Sequence, residues 1–333
     1  MVWQPRRRLA IFGAGRMGAV HASNIAQHSG AVLKAIVDPQ QEAAHDLAER
    51  YGAVAATAEA VFADPDIEAI VIASAAATHP PLIEMAIGSG KAVLCEKPLA
   101  RDLETVRPLV ERIEAAGTPF LLAFNRRFDP GFLALAEALR TGKAGKPELL
   151  LLTSRDPAPP PLDYVVEAGG ILRETTIHDI DMVRWLTGEE PVSVHALGAA
   201  QTDARIAQIG QIDTVLMTLV MPSGLLVSIN NSWRSTFGYD QRAEIHGSKG
   251  TLHLGNVPSD TLAIWNGEGA LAARPHPFFL ERYCEAYRRE LDYFLASLSD
   301  GHRVTPSAGD GLRALEIAEA AEHSLRTGLP VPL

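Results

Sequence analysis

The stretch that most limits what this chain can fold into comes near its beginning. An apolar run at residues 9–13 leads into the glycine turn GAGRMG at 13–18, a helical pattern follows in AVHASNIAQH, and a second apolar run at 31–37 ends in Asp38. Strand, glycine turn, helix, strand and acidic residue come in the order of a dinucleotide-binding βαβ unit. Gly13 permits the tight turn, Gly15 lets a pyrophosphate approach the backbone, and Gly18 lets helix and strand pack closely. Arg16 and Met17 open the helix whose amino end faces the phosphate charge. A bare glycine pattern is weak evidence; the strand before it and Asp38, twenty residues beyond Gly18, make it specific. The Asp38 carboxylate can accept both ribose hydroxyls and would repel a phosphate, and Pro39 and Gln40 add no positive charge. NAD is therefore expected over its phosphorylated relative.

The alternation continues, with apolar strand candidates at 69–74, 92–95 and 119–123 separated by helical runs at 80–88 and 102–116. That rhythm predicts a parallel sheet covered by helices. Ligands of such sheets bind beyond the carboxyl ends of the strands. Glu96, Lys97 and Pro98, directly after the strand ending at Cys95, therefore lie at the functional edge, as do Asn125, Arg126 and Arg127 after the last strand.

Past TGKAGKP at 141–147 the pattern changes. Strand candidates at 148–153, 191–199, 213–220, 224–232, 241–247 and 251–255 are joined largely by short turns such as MPSG and GSKG, which predicts an antiparallel or mixed sheet. Helices at 131–139 and 176–187 would cover one face, and the other is open to helix cover or to a partner subunit's sheet. The fold expected is α/β: an N-terminal Rossmann domain at 1–124, then an α+β domain on a large, mostly antiparallel open sheet at 125–333. A long helical segment at 278–298 and a terminal helix from Ser307 to Gly328 follow, and the last can pack back on the first domain.

The whole chain has 333 residues and a formal net charge of -10, with no basic cluster after the first few residues, which argues against a nucleic-acid partner. Two cysteines, Cys95 and Cys284, form no disulfide framework or metal spacing, which fits a reducing cytoplasm. The basic, then apolar, start is interrupted by glycines too soon for a signal peptide or a membrane span. No metal is expected, because no histidine pair has an acidic partner at ligand spacing.

AGGILRETTIHDIDMVRW at 168–185 carries the candidate chemistry. Thr176 followed by Asp179 reads as a capping box, starting a helix at Thr176 with His178 in its first turn. An imidazole beside the positive helix end tends to stay neutral, as a general base must. By itself the stretch reads first as a polar helix start with a structural histidine; the cofactor unit upstream reverses that in favour of the base. With a nicotinamide cofactor the task left is to remove a hydroxyl proton while the adjacent carbon gives up hydride. His178 can take that proton, Lys97 can donate to the same oxygen, and Glu174 can orient the ring or relay the proton. Asp179 and Asp181 are expected to cap and to be solvated.

Through GAGRMG, EKP at 96–98 and GG followed by HDIDMVRW at 178–185, the sequence resembles the glucose-fructose oxidoreductase and inositol dehydrogenase family. SRDPAPPP at 154–161, NNSWRSTFGYDQRAEIHGSKG at 230–250 and FFLERY at 278–283 are similar to its inositol 2-dehydrogenases, and the likeness spans essentially the whole chain. The resemblance implies reversible oxidation of myo-inositol to the 2-keto compound with NAD in the cytoplasm, by a tetramer whose open sheets face one another. It makes Lys97 and His178 catalytic and places Arg127, Asp156, Tyr239 and Tyr283 against the substrate. Another cyclitol, an aldose or a keto-inositol is the alternative substrate class, and a cofactor-binding regulator without turnover a distant third. Two positions depart from the family: Glu174 stands where an aspartate is usual, and Trp233 where a basic residue is frequent, the latter compatible with a surface or interface role.

Overall fold

The computed structural model describes residues 6–267, 269–300 and 304–333, so residues 1–5 of the basic start lie outside it. The chain divides into two compact units, Met1–Asn125 with Ala286–Arg313, and Arg126–Glu285 with Ala314–Leu333.

In the first unit the apolar runs become β1 (Arg7–Phe12), β2 (Ala31–Val37), β3 (Val54–Ala55), β4 (Ala69–Ile72), β5 (Ala92–Glu96) and β6 (Phe120–Ala123). All pair in parallel, in the order β3-β2-β1-β4-β5-β6. β4, β5 and β6 are buried at every position, which is why they read as unbroken apolar runs and not as alternations. The crossovers are α1 (Arg16–Gln27), α2 (Gln41–Tyr51), α3 (Ala58–Ala63), α4 (His79–Ser89) and α5 (Leu103–Ala116). Thr57 caps α3 and Asp102 caps α5, each side chain accepting the backbone N–H three residues on.

In the second unit, strands β7 (Pro147–Arg155), β8 (Ser193–Ala199), β9 (Thr214–Val220), β10 (Leu226–Ser232), β11 (Asp240–Gly247) and β12 (Gly250–Leu254) precede a separate hairpin, β13 (Ala263–Asn266) and β14 (Gly269–Ala272), and a last short strand, β15 (Val331–Pro332). The large sheet runs β12-β11-β7-β10-β9-β8-β15, antiparallel except between β7 and β10. Its strands alternate as a one-sided sheet does. Val215, Met217, Leu219 and Val227 are buried, while Leu149, Leu151, Leu197, Leu216, Val220 and Leu226 are exposed, forming an apolar stripe across β7, β10, β9 and β8. Helices α6 (Pro130–Arg140), α7 (Leu162–Ala168), α8 (Ile177–Thr187), α9 (Ala204–Gln208) and α10 (Phe279–Arg282) complete the body of this unit.

The expected helix at 278–298 breaks at Tyr283, leaving α10 and then α11 (Cys284–Asp300), whose portion from Ala286 joins the first unit. α12 (Ala308–Thr327) closes the chain. Its start has the reciprocal cap expected elsewhere: Ser307 Oγ accepts the Asp310 N–H at 3.2 Å, and Asp310 Oδ2 accepts the Ser307 N–H at 2.7 Å.

No such cap forms at Thr176, which corrects the sequence reading. A π-helical turn, Leu172–Thr176, runs straight into α8, and Thr176 has helical dihedrals and makes no capping bond. Asp179 is unavailable as a capping partner because its carboxylate is engaged in the interior, as described next.

Candidate active site

At the end of β1 the glycine turn has the shape its spacing implies. A Cβ on Gly13 would lie 2.6 Å from the Ala73 carbonyl oxygen, and one on Gly18 would lie 1.9 Å from that of Gly13. Both positions are closed to any side chain, and Gly13 also has φ of 107°. A Cβ on Gly15 would meet nothing within 4 Å. Gly15 is the residue before α1, so this open space lies over the free N–H groups of a helix start, where a pyrophosphate is stabilised. Arg16 is exposed on the first turn, and Met17 is half-buried beside it.

Asp38 is locked to this turn: Oδ2 accepts the Ala14 N–H at 2.7 Å and Oδ1 the Gln40 N–H at 2.8 Å. Each oxygen keeps a lone pair for a ribose hydroxyl. The first unit therefore fits NAD, with Gly15 and α1 for the phosphates and Asp38 for the adenosine ribose.

Lys97 and Pro98, both half-buried, leave the carboxyl end of β5. Sequence reasoning missed the residue that holds this turn. Buried His79, at the start of α4, has Nδ1 2.7 Å from the Pro98 carbonyl oxygen and Nε2 3.0 Å from that of Ser74. Its ring lies between the ends of β4 and β5, with its N–H available to one of the two carbonyls, and burial pulls its pKa down against the pull of the carbonyls and of Glu96. The signal was present in the THPP stretch at 78–81, but a lone histidine at a helix start reads as ordinary. Glu96, expected at the cofactor edge, is turned inward, with Oε1 2.8 Å from His21 Nε2.

The second unit gathers its own polar cluster. Arg126 Nη1 donates to Asp179 Oδ1 at 2.6 Å and to Ser154 Oγ at 2.9 Å, and Asn231 Nδ2 donates to Asp179 Oδ2 at 2.7 Å. Arg127 grips Asp181 with a two-pronged bond of 2.9 and 2.5 Å. Both aspartates are 1% exposed, which corrects their reading as capping and solvated residues. A buried carboxylate needs a paired cation, and two consecutive arginines supply one each.

Arg127, expected against substrate, thus has its guanidinium committed to Asp181. Its neighbour Arg126 lies among the polar groups instead: burial works against its charge, but Tyr283, Asp179, Tyr239 and Asp156 together raise its pKa. Tyr239 and Tyr283 meet edge to face at 5.9 Å. Burial first of all pushes both phenols up, so they remain O–H donors at neutral pH. The Arg282 guanidinium, paired with Asp129, lies 4.7 Å over the Tyr283 ring.

Asp156 and Glu174 share a neighbour in Thr175, whose Oγ is 2.8 Å from Glu174 Oε2 and 3.5 Å from Asp156 Oδ2. Trp233 Nε1 donates to that same oxygen at 2.9 Å. Trp233 is fully buried, so it has no surface or interface role. Half-buried His178 stands four residues after Glu174 on the continuous helical stretch, so the two share a face. Among the described residues no cluster of ligand side chains could hold a metal ion, and no helix is long and apolar enough to cross a membrane.

A parallel sheet in this order, with its glycine turn and the Asp38 carboxylate locked to it, followed by a mixed-sheet unit, defines an NAD-dependent oxidoreductase. Residues 7–124 match the model of the oxidoreductase family with an NAD-binding Rossmann fold, and residues 132–253 that of the GFO/IDH/MocA C-terminal domain. The chain belongs to the GFO/IDH/MocA family. It is 43% identical to the inositol 2-dehydrogenase of Rhizobium meliloti (strain 1021), over 96% of each chain. It is 39% identical to the myo-inositol 2-dehydrogenase of Thermotoga maritima, over 98% of each. The crystal structure of a myo-inositol dehydrogenase from Corynebacterium glutamicum superposes with a TM-score of 0.95 at 43% identity, covering 98% of this chain and 99% of that one.

Proposed function

We propose that the protein oxidises myo-inositol at its 2-hydroxyl to the 2-keto compound with NAD. The observation that carries this reading is a linked set of polar groups: the Tyr239 phenol within the influence of Arg126, Asp156 and Glu174, Tyr283 edge-on against it, and Thr175 within reach of both carboxyls. A ring with a hydroxyl on each carbon needs donors and acceptors side by side, and a site that pairs them rejects less hydroxylated rings. The names of the relatives in Rhizobium meliloti and Thermotoga maritima support the same substrate.

Bound NAD would supply the hydride acceptor for the carbinol carbon. His178 removes the hydroxyl proton, and the Lys97 ammonium donates a hydrogen bond to that oxygen as it gains alkoxide character. Glu174 balances the charge that His178 acquires. Tyr239, Tyr283, Asp156 and Arg126 orient the ring, with Arg127 supporting from its pair with Asp181. A cytoplasmic homo-oligomer, a tetramer built through the exposed leucine stripe of the large sheet, completes the reading.

NADH formation with a panel of inositols, inososes and aldoses tests it. Turnover is expected with myo-inositol; none with any inositol beside clear turnover of an aldose would reject the substrate. Light scattering of Leu216→Lys against the parent protein tests the sheet face, where smaller particles are expected and unchanged mass would reject it.

A further inference from the structure

Trp233 and Thr175 form a chain of hydrogen bonds with a fixed direction. An indole N–H can only donate, and Trp233 Nε1, fully buried, donates to Thr175 Oγ at 2.9 Å. That oxygen carries one proton of its own. Two carboxylates compete for it, Glu174 Oε2 at 2.8 Å and Asp156 Oδ2 at 3.5 Å, and distance selects Glu174. Had the buried neighbour been an acceptor, the hydroxyl would have had to point back at it, leaving its lone pairs facing Glu174. With an indole there, the hydroxyl proton is sent outward, and Glu174 Oε2 is its nearest acceptor.

We infer that Trp233 is a positioning residue: acting through the Thr175 hydroxyl, it holds the Glu174 carboxyl as an oriented acceptor on the helical turn that leads into His178. Both residues, Glu174 and Thr175, lie in the π-helical turn Leu172–Thr176. The inference rests on the proposed role of Glu174 beside His178 for its effect on turnover, but not for the chain of bonds itself.

Trp233→Phe keeps the buried ring and deletes the donor. Turnover is expected to fall about tenfold with the NAD dissociation constant unchanged, Thr175→Val to fall at least as far, and the double variant no further than Thr175→Val alone. Additive losses would mean that Trp233 acts by packing and would overturn the inference. A second measurement does not need a substrate. In nitrogen–proton spectra of the tryptophan indoles, the resonance absent from Trp233→Phe is expected to titrate with a carboxyl group, and to lose that titration in both Thr175→Val and Glu174→Gln. An indole signal indifferent to Thr175→Val would refute the chain even if myo-inositol proves to be the wrong substrate.

Discussion

Glu290, on α11, is fully buried, and neither of its carboxyl oxygens has a hydrogen-bond partner among the described residues. Burial above all, and then the nearby Glu96 carboxylate, push its pKa well above the ordinary 4.5. Glu96 is itself bonded to His21, whose ring meets that of Tyr287 edge-on at 6.0 Å. The sign of the consequence follows from linkage. Below the ordinary carboxyl range Glu290 is protonated in both folded and unfolded chains and costs nothing. As pH rises, the unfolded chain releases the proton first, and stability falls by about 1.4 kcal/mol per pH unit until the folded group ionises too. Glu290→Gln has nearly the same shape and nothing to titrate. The variant should therefore melt close to the parent protein near pH ~5 and above it as pH climbs, with a gap of at most about 2.7 kcal/mol over two units. Thermal melting of both proteins across that range, followed by circular dichroism, measures the gap. A constant difference at all pH values, or one that shrinks with pH, would refute the argument that a proton is stored there.

Three further outcomes are expected. Replacing Lys97 by Met or His178 by Asn should lower turnover by roughly 100-fold or more with NAD affinity nearly intact, measured by steady-state kinetics and fluorescence titration; lost NAD binding with normal turnover at saturation would reject both roles. Arg127→Leu leaves the buried Asp181 carboxylate without its two-pronged partner and should cost about 3–5 kcal/mol in a denaturation experiment; a raised KM with unchanged stability would instead put Arg127 on the substrate. Asp38→Ala should weaken NAD by roughly tenfold or more, since hydrogen bonds to a charged group are worth about 1.5–3 kcal/mol; equal use of NAD and its phosphorylated form by the parent protein would contradict the specificity argument.

The first unit was legible because its constraints are local. Gly13, Gly18 and Asp38 answer to backbone geometry within one βαβ turn, and fully buried strands announce themselves as apolar runs. The second, mostly antiparallel sheet was also visible in the spacing of its strands, though not which pair, β7 and β10, would run parallel. What escaped the sequence were pairings between residues far apart in the chain. Asp179 looks like a cap because Thr176 precedes it by three residues, and only Arg126, Ser154 and Asn231, brought in by other elements, show it to be an interior anion. For the same reason consecutive arginines could not be told apart: Arg127 belongs to Asp181, and Arg126 to the group around Tyr283. Trp233, a departure from the family, was left open to a surface or interface role for want of any sign that its N–H had a buried acceptor waiting. The β13–β14 hairpin, exposed along its whole length, had no buried face to leave a pattern.

The return of Ala286–Arg313 to the first unit sets an order of events during synthesis. Asn125 leaves the ribosome with the nucleotide-binding sheet complete, yet the helix that buries the His21–Glu96 pair, and Pro306, which accepts the Leu122 N–H, are encoded beyond the entire Arg126–Glu285 stretch. The early sheet must wait, partly uncovered, while the other unit is made. A fragment ending near residue 124 would lack its own lid, so the cofactor-binding half cannot be cut out of this chain as a continuous piece.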